Sequence, residues 1–104
     1  MVDAENVRRS QWPNLSREEL VGRTRAWAAR ERHDLLIVFD GTPREAAADL
    51  VGAPSADDEI VQLAQRIDRP WWLVTSDREL RERVGHAPER VLGGGSFLRM
   101  ILEP

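Results

Sequence analysis

The chain has 104 residues, 41% hydrophobic and 32% charged, with a formal net charge of −3; this describes one globular domain without the overall basic balance of a typical nucleic-acid binder. It contains no cysteine, which excludes disulfides, thiolate nucleophiles and cysteine-held zinc, and two histidines, His33 and His86, cannot build a multi-histidine metal site. All 15 basic residues are arginine, so a P-loop or a lysine-dependent phospho-receiver site is excluded as well.

The elements alternate strand and helix, the pattern of an α/β fold in which a mostly parallel sheet of four or five strands is covered by helices. Val2 belongs to a first short strand. Ser16 and Glu19 form an S-x-x-E capping box, with Leu15 and Leu20 as its hydrophobic staple. They predict a helix that presents Leu20, Thr24, Trp27 and Ala28 on one face and ends near His33. Leu35–Phe39 is a continuous apolar run, the mark of a strand buried on both faces, and it stops at Asp40-Gly41. Residues 43–54 are expected to hold a short helix followed by a remnant strand at Asp49–Val51. Ser55 should cap a helix over Ala56–Ile67. Trp71–Val74 reads as another strand whose adjacent tryptophans face opposite sides of the sheet and pack in its core. The box Ser76-x-x-Glu79 opens a helix over Asp77–Val84. A strand at Arg90–Leu92 and a helix over Phe97–Leu102, capped by Ser96, close the chain. The longest apolar run is far too short to span a bilayer, and the start lacks the pattern of an export signal. The expected location is therefore cytoplasmic, with no membrane partner. A chain this small buries only about two-thirds of its unfolded surface; it can fold alone, but a partner chain would help, and a homodimer is one such arrangement.

Three aspartates stand at strand ends: Asp3, Asp40 and Asp77. In an open parallel sheet the carboxyl ends of the strands lie along one edge, where ligands bind, so residues distant in sequence become neighbours. Asp57 and Asp58 open a helix at that same edge. Like charges gathered in one crevice repel, and a divalent cation relieves the repulsion; with oxygen ligands alone, Mg²⁺ or Mn²⁺ is the fitting ion. The simpler account is that Asp57, Asp58 and Asp77 complement helix dipoles and that Asp40-Gly41 is a turn.

Four blocks of sequence carry a family resemblance. Val2-Asp3-Ala4-Glu5-Asn6-Val7 resembles the D-x-x-N opening of NYN domains, the branch of the PIN-like nucleases that includes the YacP-like proteins. Val38-Phe39-Asp40-Gly41 is similar to their V-F-D-G strand end. Ser55-Ala56-Asp57-Asp58-Glu59-Ile60 resembles their A-D-D-x-I helix start, and Val74-Thr75-Ser76-Asp77-Arg78-Glu79-Leu80 their V-T-S-D-x-x-L segment. The resemblance implies a three-layer α/β/α PIN-like fold and a Mg²⁺- or Mn²⁺-dependent endoribonuclease acting on single-stranded RNA. It implies Asp3, Asp40, Asp57 or Asp58, and Asp77 as the working carboxylates, with Asp58 the helix residue assigned to the metal. Asn6 and Ser76 would support them.

Other features have two readings each. Arg8, Arg9 and Trp12 could hold single-stranded RNA through phosphate contacts and base stacking, or form a solvated loop with Trp12 folded beneath it. Gly93-Gly94-Gly95-Ser96 is read as a flexible connection, with a phosphate resting on its amides as the alternative. Arg78, Arg81 and Arg83 are expected on a solvated face, and His33 and His86 to be structural. The rivals to the nuclease are an RNA-binding module of the same fold without strong catalysis, and a structural or regulatory domain whose aspartates only cap helices.

Overall fold

A computed structural model describes residues 1–103. The described chain is an α/β fold with five strands, all parallel, in the order β3-β2-β1-β4-β5. In sequence the elements are β1 Val2–Asp3, α1 Ala4–Arg8, α2 Arg17–Glu31, β2 Ile37–Asp40, β3 Leu50–Ala53, α3 Ala56–Ala64, β4 Trp72–Val74, α4 Arg78–Val84, β5 Arg90–Leu92 and α5 Gly94–Leu102. No helix among the described residues is long and apolar enough to cross a membrane.

Helices cover both faces of the sheet, giving three layers. Helices α1, α2 and α5 pack together on one side, and α3 and α4 on the other. The strands feed both layers by alternation, as a pleated strand must. Ile37 and Phe39 join the core beneath α2 and α5 with Leu20, Trp27 and Phe97. Val38, between them, joins Ile60, Leu73 and Leu80 on the opposite face. The adjacent Trp72 and Trp71 also divide between these two cores. The chain runs outward from β1 to β2 and β3, then returns to place β4 on the other side of β1. The gap between the ends of β1 and β4 is thus the switch point of the sheet, the place where such folds take their ligands.

Local signals fix most boundaries. The Ser16 hydroxyl accepts the amide of Glu19 at 3.1 Å, starting α2, and Arg32 in the left-handed region (φ 59°) ends it. His33 then lies flat on the Trp27 ring, 5.0 Å between centroids, and tilted against Trp72.

Five expectations are corrected. Arg8, read as part of a solvated loop, instead ends a helix over Ala4–Arg8; one turn is too short to carry a periodic signal. Residues 44–49 form no helix despite Ala46–Ala48, and β3 runs to Ala53 because all four of its residues pair with β2. Pairing holds Leu50–Ala53 extended and the chain turns at residues 48–49 to enter β3, which leaves too short a stretch for a helix despite alanine's preference. The α3 helix stops at Ala64 rather than Ile67. Asp77, not Ser76, caps α4, its Oδ1 accepting the Leu80 amide at 3.2 Å. The triglycine is not a flexible connection: α5 starts at Gly94, and its amide donates to the Ser76 hydroxyl at 2.8 Å.

Candidate metal centre

The carboxyl edge of the sheet opens into a cleft of about 600 Å³ lined by Asp3, Asp40, Asp57 and Asp77 among others. Each arrives by a different route. Asp3 is the last residue of β1 and only 4% exposed. Asp40 is the last residue of β2, Asp57 lies in the first turn of α3, and Asp77 caps α4 directly after β4. The switch-point topology therefore gathers into one cleft four carboxylates that span most of the sequence.

Three of them are anchored through one oxygen. Asp3 Oδ2 accepts the Thr75 hydroxyl at 2.9 Å, a bond across the β1–β4 gap. Asp40 Oδ1 accepts the Ala56 amide at 2.8 Å, tying β2 to the start of α3. Asp77 Oδ1 holds the first turn of α4. In each case the other oxygen has no hydrogen-bond donor among the described residues. Asp57 is held by no side-chain hydrogen bond at all among them. No three His, Asp or Glu side chains of the described residues stand close enough together, as placed, to hold a metal ion.

The crowding of charge in the cleft is nonetheless felt at Asp3 and Asp57. Burial pushes the Asp3 carboxyl up to about 6 from its ordinary 3.8; the Thr75 bond offsets part of this, and the charges of Asp57, Asp40 and Asp77 add to it. Asp57 is also raised, first by burial and then by Asp77 and Asp40. These are the two ways a carboxylate is made costly to ionise, and a cation beside it reverses both.

A sign-specific consequence follows for stability. The folded protein holds the Asp3 proton up to about pH 6, whereas the unfolded chain releases it near 3.8. The stabilisation is complete below the lower value and is lost as pH rises through the upper one. Asp3→Asn is therefore expected to stabilise the metal-free protein at about pH 8 by on the order of 2–3 kcal/mol, and to change little at about pH 4. Urea unfolding of both proteins at the two pH values measures this.

Asp58 stands apart from the cleft. It is 62% exposed and pairs with Arg83 at 2.7 Å, clamping α3 to α4. Of the adjacent pair, Asp57 faces the other carboxylates and Asp58 does not. Asn6 and Ser76 support the site as a relay between elements: Asn6 Oδ1 accepts the Ser76 amide at 2.8 Å, and the Ser76 hydroxyl accepts the Gly94 amide. A Cβ at Gly94 would lie 2.2 Å from the Ser10 hydroxyl and would displace it from the Asn6 carbonyl that it bonds.

The arginines also sort themselves. Arg78, Arg81 and Arg83 are exposed, as expected, but Arg81 also has a partner: both its Nε and Nη2 donate to the carbonyl of Thr75, bracing the end of β4. Arg83 is taken by Asp58. Glu5 was not singled out by the sequence. It is buried at the edge of the cleft, where burial raises its carboxyl but the Arg17 hydrogen bond and the Arg8 and Arg17 charges outweigh that and leave it lowered. Arg17 holds Glu5 at 2.6 Å and also donates to the Asp40 carbonyl, while Arg8 bonds both Glu5 and the Leu15 carbonyl. No local pattern could reveal this cluster, because Arg17 comes from another helix. Compared with protein-family models, with curated proteins and with solved structures, the chain finds no match.

Proposed function

We propose that the chain is a divalent-metal-dependent endoribonuclease of the PIN-like kind, with Asp3, Asp40, Asp57 and Asp77 as the residues that hold the ion. The observation that carries this reading is the gathering of four carboxylates at the sheet's switch point, two of them with raised proton affinity. The resemblance of four sequence blocks to NYN domains supports it. The donor set is all oxygen, which suits Mg²⁺ or Mn²⁺. The side chains would have to draw together around the ion, and Asp57 is free to turn.

A bound ion would supply Lewis-acid polarisation of the phosphodiester and a lowered pKa for an attacking water. The protein's own part is positional. Thr75, the Ala56 amide and the Leu80 amide fix one oxygen each of Asp3, Asp40 and Asp77, which lowers the ordering cost of forming the site. Asn6 and Ser76 hold the loops that carry them. In this reading the protein acts on single-stranded RNA in the cytoplasm.

The test is cleavage of a labelled single-stranded RNA with Mn²⁺ and with EDTA. Cleavage that needs Mn²⁺ is expected; absence of any metal-dependent product contradicts the reading. A second reading, an RNA-binding module that does not cut, draws on a specific observation: the acidic side chains do not converge on one point as placed. Binding of the RNA without metal-dependent cleavage would select it.

A further inference from the structure

The proposed RNA reading leaves open how a polyanion approaches a cleft lined by carboxylates. Among the described residues lining that cleft, Arg9 is the one cation. Its side chain is 67% exposed and touches Glu5 only at 3.7 Å, because Arg8 and Arg17 already occupy that carboxylate at closer range. Three residues further on, Trp12 is 89% exposed. Among the described residues the other exposed large hydrophobic is Met100, at 37%.

Trp12 is held out by its loop. The Ser10 amide and hydroxyl bond to the carbonyls of Val7 and Asn6, closing the end of α1. The Leu15 amide donates to the Arg8 carbonyl at 3.2 Å and Arg8 Nε returns a bond to the Leu15 carbonyl at 2.8 Å. Residues 9–14 therefore project from a pinned base, and Trp12 is not folded beneath them. Arg8, the third basic or aromatic candidate here, is consumed in that base.

We propose that Arg9 and Trp12 form the strand-entry rim of the cleft, with the Arg9 guanidinium on a backbone phosphate and the Trp12 ring stacked on an unpaired base beside it. The inference rests on the RNA reading but not on catalysis. A cation offsets the repulsion at the mouth, and an open indole face accepts any base that is not already paired. The rim thereby selects single strands over duplex, whose bases are closed to stacking.

The experiment is fluorescence anisotropy with a labelled oligouridine and a labelled RNA duplex, both in EDTA so that nothing is cut. Trp12→Ala is expected to weaken single-strand binding about tenfold, with Trp12→Phe retaining most of it. Arg9→Gln should lower the salt dependence of binding by roughly 0.7 in log–log slope. Duplex affinity should not respond to Trp12. The exposed position of Trp12 makes these variants equal in thermal stability to the parent, which circular dichroism checks. Single-strand affinity unchanged in Trp12→Ala would overturn the inference. So would a loss of self-association in Trp12→Ala with RNA binding intact, since the ring would then belong to a contact between copies. If the parent binds but never cleaves, and Trp12→Ala weakens binding, the rim stands and the nuclease falls. If it cleaves and Trp12→Ala is silent, the reverse holds.

Discussion

Asp57→Asn is expected to lower Mn²⁺-dependent RNA cleavage by at least about a hundredfold, whereas Asp58→Asn leaves it within a small factor. The magnitude follows because even outer-shell partners of a metal cost about 10–100-fold when removed. The contrast follows from geometry. Asp57 lines the cleft, and its proton affinity is raised in part by Asp77 and Asp40. Asp58 points to solvent and holds Arg83, an exposed pair worth no more than about 1 kcal/mol. Single-turnover cleavage at saturating Mn²⁺ reads the difference. Equal loss in both variants, or none in either, would mean that the four carboxylates do not act together.

Gly52→Ala should be the most damaging small substitution in the chain, although Gly52 is exposed. A Cβ at this position would stand 2.2 Å from the Gly41 carbonyl oxygen and 2.6 Å from Pro43 Cδ. Gly41 sits at φ +82°, and its amide donates to the Ala53 carbonyl at 2.7 Å, so the β2 end and the β3 end are locked backbone to backbone. The added methyl must push that backbone apart. Overpacking a fitted core costs about 1–3 kcal/mol, and here no flexible side chain can yield, so the upper part of that range is expected. For a domain of this size each kcal/mol lowers Tm by about 4–8 °C. Because Asp40 immediately precedes Gly41, the variant should also lose part of its Mn²⁺ response. Gly22→Ala provides the contrast within one experiment. Gly22 lies inside α2, its Cβ would meet nothing within 4 Å, and the change should raise stability by about 1 kcal/mol. Thermal melts of the two variants side by side separate a steric glycine from a merely permissive one.

The parts of the fold legible in the sequence are those written in local pattern. The apolar runs ending at Phe39 and Val74 gave buried strands, and Ser16 and Ser55 marked helix starts whose cap bonds are present. Asp3, Asp40 and Asp77 could be placed along one edge because strand ends in a parallel sheet share an edge whatever the details. What escaped depended on phase or on distant partners. Two adjacent helical residues differ by about 100° in direction, a turn of the axis that sequence leaves undetermined at a helix start, so Asp57 and Asp58 could not be told apart. Glycine's weak helix propensity hid the first turn of α5. Its start is fixed instead by Ser76, 18 positions away. The bracing of Thr75 by Arg81 and of Glu5 by Arg17 also joins separate elements, and no periodicity announces such contacts.

The central claim, that four carboxylates form one cation-binding group, makes a reversal the measurement to seek. Without metal, Asp3→Asn removes a buried and repelled charge, so it should melt above the parent protein at about pH 8. With Mn²⁺ at about a thousandfold excess over its dissociation constant, the parent should gain roughly 4.1 kcal/mol, or about 16 °C or more, which exceeds the metal-free advantage of the variant. The variant, short of one ligand, should gain far less. The order of the two melting temperatures is therefore expected to invert when Mn²⁺ is added. A parent protein that gains nothing at millimolar Mn²⁺, with the order of the two melts unchanged, would contradict the account.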